Sequence, residues 1–449
     1  MERDRWADAL RVGSLLVVVL GHWLMVTVTP DGDISNALVV LPSLQPLTWF
    51  LQVMPLFFLV GGVAHTYSLE SLARVGGTSR GRYAVFVRAR ALRLLRPTLV
   101  FLAVWVMLGV IADLAGWTSG RQATLVTAAL VLVPQLLWFV GIYLGVAAFA
   151  PAMARAHRRW GVGVPVALAL AACLVDLARF GAGIAVVGNL NFLFVWLALH
   201  QWGLLWRDGR LTYRLSLALA VLGSVGLGLA VTVGPYPTSM VGLPGDDVSN
   251  MAPPTAALLA QGLALIGVAA LLRRPMRRAL RRPALWRGVV TAGAFAMTAF
   301  LWHLTALLGV LLAMRALSLT QPEVGTAGWW WTRPVWFAVL AVPTAVLVGV
   351  FVRFDRGERA ARAPVQESRR WVDLLSAVAA GVVVFGILMV SVTGVDILGN
   401  RPQFFLFGEV TPAAAFAVLL AGLALLKLAD PRHAAPRRAG LARAAEQTP

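Results

Sequence analysis

The first long apolar stretch, residues 7–28, reads ADALRVGSLLVVVLGHWLMVTV and decides the fold class. A helix of that length extends about 33 Å, which is enough to cross the hydrocarbon core of a bilayer. The stretch begins within ten residues of Met1, and no small-residue cleavage site follows it. We therefore interpret it as a retained membrane span and not as a removed signal peptide.

Similar stretches recur along the chain, and with the first they predict twelve membrane-spanning helices. We place them roughly at 7–28, 47–71, 94–115, 123–150, 162–180, 186–206, 212–233, 254–272, 287–314, 334–352, 371–394 and 404–428. Only 13% of the residues are charged, against about 25% in a soluble domain. This composition excludes a soluble enzyme and a disordered chain, and it predicts an all-α polytopic transmembrane helical bundle.

The positive charges alternate between the connections of this bundle. Of the 39 lysines and arginines, 34 lie on alternate connections, and the exceptions are Arg121, Arg179, Arg315, Arg333 and Arg401. Because positively charged loops stay in the cytoplasm, both termini are predicted to be cytoplasmic and the number of spans to be even. The net charge of +19 then places arginines at an anionic membrane surface, and no nucleic-acid partner is expected.

Three ionisable residues of the first span, Asp8, Arg11 and His22, fall on nearly one helix face. From Arg11 to His22 the helix makes three turns plus roughly 20° and rises about 16 Å. Because ionisable side chains are costly in hydrocarbon, the face predicts a functional cation at the cytoplasmic mouth and an imidazole deep in the membrane. In the alternative, Asp8 and Arg11 are interfacial and His22 bonds a neighbouring helix.

A second histidine, His303, is expected at a similar depth, because the first and ninth spans run in the same direction. The two imidazoles are therefore candidates for one cavity, and the alternative for His303 is a packed histidine hydrogen-bonded across helices. Several more polar residues are candidates for a cytoplasmic entrance: His65, Glu70, Asn191, His200 and Gln201.

A basic stripe, Arg90, Arg93 and Arg96, enters the third span from the cytoplasm with one arginine every three residues. Guanidinium groups suit phosphate oxygens, so the stripe fits a ligand with several phosphates. The alternative is a topology signal that also binds lipid headgroups.

These residues carry a resemblance to the membrane-bound acyltransferase family 3. Residues 8–22 are similar to the family's first helix, including its Arg-x10-His element. Residues 54–62 (MPLFFLVGG) resemble the second-helix motif, with Gly61 in place of the usual serine. Residues 90–97 are similar to the Arg-x-x-Arg segment in either register, and residues 301–303 to the late Tyr-Leu-x-His element.

The resemblance covers roughly residues 1–353. It implies an integral membrane acyltransferase that moves an acyl group from cytoplasmic acyl-CoA to a hydroxyl of an envelope sugar, glycolipid or other acceptor in a bacterial plasma membrane. It implies His22 as general base, and His303 as the group that positions the acceptor or stabilises the oxyanion. Asp8 would orient Arg11, and CoA phosphates would bind Arg11, Arg90, Arg93 and Arg96. No metal is expected.

We expect three parts: an acyltransferase-like transmembrane core (1–353), a two-helix extension (354–429) and a disordered basic cytoplasmic tail (430–449). The Pro-, Gly- and Asp-rich residues 234–253 predict turns on the outer side, where they would form part of an acceptor site or lid. The main competing interpretation is a twelve-helix transporter or flippase, which the lack of an internal repeat disfavours. The sequence is also compatible with a lipid-binding structural protein and with a different membrane O-acyltransferase fold.

Overall fold

The computed structural model describes residues 4–28, 34–74, 81–119, 123–355 and 370–430, so most of the predicted tail lies outside the described residues. The helices within these ranges are α1 (Arg5–Met25), α2 (Ala37–Val40), α3 (Thr48–Leu51), α4 (Met54–Arg74), α5 (Arg82–Leu114), α6 (Ala123–Gln135), α7 (Leu137–Trp160), α8 (Gly163–Asp176), α9 (Asn191–Arg207), α10 (Tyr213–Val233), α11 (Ala256–Leu271), α12 (Arg273–Ala279), α13 (Pro283–Ala316), α14 (Ala327–Asp355), α15 (Arg370–Thr393) and α16 (Pro412–Leu428). Short 3-10 helices cover Pro42–Leu47 and Ala185–Leu190, and a π-helical turn covers Leu177–Gly181. Two antiparallel hairpins pair β1 (Val26–Val28) with β2 (Ile34–Asn36) and β3 (Gln403–Phe405) with β4 (Gly408–Val410).

The predicted multi-pass helical bundle is confirmed. Within the described ranges, nine helical segments are long and apolar enough to cross a membrane, and α11 with α12, which meet at a bend of 54°, make a tenth if counted as one span. Helices α9 and α16 have 17 residues each, at the lower limit for spanning a bilayer. The number of twelve and the cytoplasmic placement of both termini stay predictions.

Several predicted boundaries were wrong where the chain turns near a membrane face. The last span does not begin at 404, because β3 and β4 precede it and α16 begins at Pro412, a residue suited to the first position of a helix. The first helix ends at Met25, where β1 follows. The second predicted span, 47–71, is interrupted at Gln52, whose backbone leaves the helical region.

Small residues let the core helices approach closely. Helices α4 and α9 cross at Gly62 and Gly203, where a Cβ on either glycine would collide with a backbone carbonyl oxygen of the other helix, that of His200 or of Leu59. Such crossings are typical of membrane helices, where packing replaces the hydrophobic effect. This contact fixes the register between α4 and α9, which carry two of the histidines.

The extension is fastened to the N-terminal half of α5. The Asp373 carboxylate on α15 accepts hydrogen bonds from the backbone N–H groups of Gly81 (3.1 Å) and Ala84 (3.0 Å), which α5 itself leaves unpaired. Arg88 donates to the Leu426 carbonyl (2.6 Å) and pairs with Asp430 (2.9 Å) at the end of α16. The helix that bears the arginine stripe is therefore held by residues from 370 onwards.

A charged contact holds the start of α1. Asp4 accepts a hydrogen bond from the Trp206 indole (3.0 Å) and pairs with Arg273 (2.8 Å), while its other oxygen caps α1 at the Trp6 amide (3.1 Å). One carboxylate thus joins α1 to the end of α9 and to the bend between α11 and α12.

Candidate functional site

Two of the predicted site residues, His22 and His303, are in direct contact. His22 Nδ1 lies 3.0 Å from His303 Nε2, and the ring centroids are 5.1 Å apart. His303 is fully buried, while His22 is partly exposed. The similar depth predicted for the two histidines is thus observed as a hydrogen bond between α1 and α13.

The hydrogen bonds of His303 assign the protons of the pair. His303 Nδ1 lies 2.7 Å from the Phe300 carbonyl oxygen, which can only accept, so Nδ1 carries the proton. In the neutral ring, His303 Nε2 is then an acceptor, and His22 Nδ1 must donate to it. This leaves the lone pair of the neutral His22 ring on Nε2, the nitrogen that points away from His303.

Tryptophans hold the backbone around this pair. The Trp336 indole on α14 donates to the Trp23 carbonyl (2.8 Å), and the Trp23 indole lies 3.5 Å from the His303 carbonyl oxygen. On the other side of α13, Trp105 donates to the Thr305 hydroxyl (3.1 Å). The two histidines therefore project from helices that are locked in register by buried donors.

Arg11 faces the same helix as His22. The Arg11 guanidinium runs beside Gly293 of α13, where a Cβ would lie 3.7 Å from its Nη2 atom. Because His22 contacts His303 ten residues further along α13, the two helices run side by side in the same direction. The structure thus places a guanidinium and an imidazole on the α13-facing side of α1, about 16 Å apart along its axis.

Two arginines of the stripe join Arg11. The charges of Arg11, Arg90 and Arg93 all act on the Tyr143 hydroxyl of α7, and those of Arg11 and Arg93 act on the Asp355 carboxylate. We call Arg11, Arg90 and Arg93 the arginine cluster. Arg90 also donates to the Ser68 hydroxyl on α4. Five helices therefore converge on one concentration of positive charge, which suits a polyanionic ligand.

The other two predicted site residues are Arg96 and Asp8. Arg96 lines a cavity of about 380 Å³ together with Arg353 and Phe354. Asp8 lies in the first turn of α1, where an acidic side chain interacts favourably with the helix dipole, and about 21 Å along the axis from His22. Of the two registers of the Arg-x-x-Arg segment, the structure brings Arg90 with Arg93 to Arg11.

Sequence reasoning missed Tyr143. A Cβ on Gly61 would lie only 2.9 Å from the Tyr143 ring and 3.2 Å from its hydroxyl oxygen. The glycine that replaces the usual serine therefore makes room for a phenol beside the arginine cluster. Ring contacts also run from Tyr143 through Phe139 (5.8 Å) and Phe300 (5.4 Å) to His303 (6.0 Å). Gly61, found where the family usually has serine, was the signal in the sequence that a large side chain from another helix packs against α4 there.

Residues predicted to line a cytoplasmic entrance form a second histidine pair instead. His65 Nδ1 lies 3.0 Å from His200 Nε2, and both side chains are fully buried. Asn191, the first residue of α9, donates a hydrogen bond to the Asp176 carboxylate (2.8 Å). Glu70 does lie at a helix end, where it pairs with Arg207 (3.1 Å). Two fully buried imidazoles cannot line an open entrance.

Residues 234–253 contain no helix, as predicted, and they pack onto the bundle. Trp49 donates to the Thr238 carbonyl (2.8 Å), and Met240 donates its amide to the Thr48 hydroxyl (2.9 Å). Tyr236 donates to Asp176 (3.0 Å). Their role in an acceptor site stays a prediction.

Comparison with known proteins supports the resemblance. A sequence model of the acyltransferase domain of family 3 matches residues 4–353. No match was found among curated proteins or among solved structures. The matched residues include both histidine pairs and the arginine cluster, and they end before α15 and α16.

Proposed function

The chain belongs to the membrane-bound acyltransferase family 3, and on this basis we propose that it transfers an acyl group from cytoplasmic acyl-CoA to an acceptor hydroxyl, with His22 as the general base. It is a multi-pass membrane acyltransferase. The donor, the acceptor class and the base are the proposed part. The family match gives no support to the transporter interpretation.

The arginine cluster is the proposed site for the phosphates of CoA. Three guanidinium groups from two helices supply forked donors in fixed positions, and Tyr143 adds a hydroxyl donor beside them. The pantetheine arm would then extend beside α1 from Arg11 towards His22. Arg96 would contribute less than Arg90 and Arg93, because its charge is not among those that act on Tyr143 and Asp355.

The direction of the hydrogen bonds in the histidine pair, from His22 to His303 and from His303 to the Phe300 carbonyl, supports a defined chemical step. His22 Nε2 removes the proton from the acceptor hydroxyl as its oxygen attacks the thioester carbonyl carbon. The carbon–sulfur bond breaks, and the imidazolium of His22 returns the proton to the leaving thiolate, so the base is regenerated. General base catalysis of this kind contributes about 10²- to 10⁴-fold.

His303 then acts as a positioning residue. Both of its ring nitrogens are engaged, one by the Phe300 carbonyl and one by His22, so neither is available to an oxyanion. Its acceptor nitrogen fixes the ring orientation and tautomer of His22, as a carboxylate does for the histidine of a catalytic triad. Asp8, about 21 Å from His22 along α1, acts on the arginine end and not on the reacting atoms.

The observation that carries the proposal is the contact between His22 Nδ1 and His303 Nε2 at 3.0 Å, with the outer nitrogen of His303 held by a carbonyl. The test is mass spectrometry of envelope glycans and lipids from a deletion strain that expresses wild-type protein or the His22→Ala variant. We expect one acyl mass to appear with wild type and to be lost with His22→Ala.

A matched control is His157→Ala, since His157 is also a histidine on a membrane helix but pairs with Asp208 (2.8 Å) away from the site. This variant should keep the acyl mass. Normal acylation by a folded His22→Ala protein would exclude His22 as the base, and the lack of any acyl mass in wild-type cells would reject the acyltransferase function.

A further inference from the structure

A cavity of about 330 Å³, lined by several polar side chains, lies between the matched core and the C-terminal extension. Thr127 of α6 lines it from the core, while Thr393, Asp396, Arg401 and Gln403 line it from the segment between α15 and α16. The cavity thus exists only because the extension packs against α6.

The cavity is far from the arginine cluster. Asp113, which contacts Asp396, lies twenty residues beyond Arg93 on the same helix, α5. At 1.5 Å per residue this is about 30 Å, which is roughly the thickness of the hydrocarbon core. The cavity and the arginine cluster therefore lie at opposite ends of the bundle.

The backbone around the cavity is rigidly held. The Val395 amide donates to the Leu130 carbonyl of α6 (3.0 Å), and Gly394 adopts a positive φ of 77°. A Cβ on Gly394 would lie 2.5 Å from the Leu130 carbonyl oxygen, so only glycine permits this approach. The polar side chains of the cavity consequently have a fixed frame, which is a requirement for selective binding.

Charge in the cavity is nearly balanced. Asp396 is 8% exposed, accepts a hydrogen bond from the Gly399 amide (2.7 Å) and lies close to Asp113. Burial raises the pKa of the Asp396 carboxyl, and the nearby Asp113 carboxylate raises it further. The Arg401 guanidinium lies near Asp396 and offsets its negative charge.

We propose that this cavity binds a neutral, hydroxyl-rich group such as a sugar ring. Carboxyl, guanidinium, amide and hydroxyl side chains offer both donors and acceptors, which is what vicinal hydroxyls require. A metal cation is disfavoured by Arg401, and a phosphate by the Asp396 carboxyl group. Val131 and Pro412 complete an apolar wall for the ring carbons.

The hydroxyl-rich group has two possible sources, a glycolipid headgroup at the membrane surface or a free sugar. The hairpin that supplies Gln403 to the cavity also carries Phe404 and Phe407, which are 71% and 80% exposed, as expected of aromatic side chains at a headgroup layer. We therefore expect the membrane-borne form to bind more tightly. Wild-type protein in phosphatidylcholine nanodiscs would be titrated with free glucose and, separately, with glucosyl diacylglycerol built into the nanodisc.

The variants Gln403→Ala and Arg401→Ala should each weaken saturable binding of the glucosyl probe about three- to tenfold, which is the effect of losing one or two hydrogen bonds. Both residues are exposed, so folding should be unaffected. Glu409→Gln is the matched control, because Glu409 lies opposite Phe404 in the hairpin and on the other face from Gln403.

Binding is measured without acyl transfer, so the result is independent of the proposed activity. Saturable binding of either probe that both variants weaken and Glu409→Gln preserves would support the site, and the tighter probe would identify the source. The proposal would be overturned if neither probe bound saturably or if all variants bound the probes equally. It would also be overturned if the cavity bound Ca²⁺ and neither sugar probe.

Discussion

The two histidine pairs have the same contact distance but differ in their surroundings. Each has Nδ1 of one ring 3.0 Å from Nε2 of the other. In the pair of α1 and α13, a carbonyl holds the outer nitrogen of His303, and His22 is partly exposed. In the pair of α4 and α9, both rings are buried, and His65 Nε2 and His200 Nδ1 have no hydrogen-bond partner within the described ranges.

In the proposed mechanism, this difference is what allows His22 of the first pair to act as the base. Proton positions are fixed in the first pair, because a carbonyl oxygen cannot donate. In the second pair either ring can be the donor, so no nitrogen has a defined role. The two pairs share the same imidazole–imidazole contact, so the carbonyl that binds the outer nitrogen of His303 is the feature that distinguishes the proposed catalytic pair.

The largest effect that tests this comparison is expected for His303→Ala. Without its acceptor, the His22 ring loses its fixed tautomer, and turnover should fall about 10²-fold or more while the KM for acyl-CoA stays unchanged. Steady-state kinetics with the acyl-CoA identified by mass spectrometry would measure this. His303→Gln, which can still accept from His22, should recover part of the turnover. A rise in KM alone would contradict the positioning role.

A next-largest effect is expected at the donor end. Arg93→Gln should raise the KM for acyl-CoA about tenfold or more, because a charged hydrogen bond to phosphate contributes about 1.5–3 kcal/mol, and turnover should change little. Arg96→Gln is the matched control on the same helix and should have a smaller effect. Equal effects of the two substitutions would show that the arginine cluster does not select the donor.

His200→Leu should have the opposite effect to His303→Ala: it should lower stability and leave turnover nearly unchanged. It leaves the buried His65 without a partner, so we expect about 1–3 kcal/mol of lost stability and turnover within a few-fold of wild type. Thermal unfolding in detergent, alongside the kinetic assay, separates the two effects, and His200→Gln should regain stability. A variant as stable as wild type but without activity would give the second pair a catalytic role.

The last prediction concerns the pH dependence of stability and involves Asp4, which precedes the first helix. Burial raises the pKa of its carboxyl, but the hydrogen bond from Trp206 and the charge of Arg273 outweigh this, so the pKa lies below the ordinary 3.8. A carboxyl with a lowered pKa stabilises the fold above pH 3.8 and loses that contribution as the pH falls below it.

Asp4→Asn should therefore lower stability by about 1–3 kcal/mol at neutral pH and by much less below about pH 4. Melting temperatures of the wild-type protein and of Asp4→Asn, measured across this pH range, should converge as the pH falls. Parallel curves at all pH values would mean that the charge of Asp4 does not hold α1.

Much of this arrangement could be predicted from the first helix. The spacing of Arg11 and His22 requires only regular helix geometry, and the depth of His303 requires only a common direction of two spans. The pairing of His65 with His200 could not be predicted, since it depends on the close crossing at Gly62 and Gly203. Tyr143 was missed because its place beside the arginines depends on packing between α4 and α7. The hairpin before α16 was missed because its apolar residues resemble the start of a span.

The carboxylate of Asp373 has a consequence for how this chain could be shortened during evolution. It serves as the cap of a helix that begins nearly three hundred positions earlier, so deleting α15 and α16 would leave the first amide groups of α5 without this acceptor, at a cost of about 0.5–2 kcal/mol. Relatives that end near residue 355 must supply another acceptor for those first amide groups, for example a serine or aspartate placed just before the helix. The sequence at that point should therefore covary with the presence of the last two spans across the family.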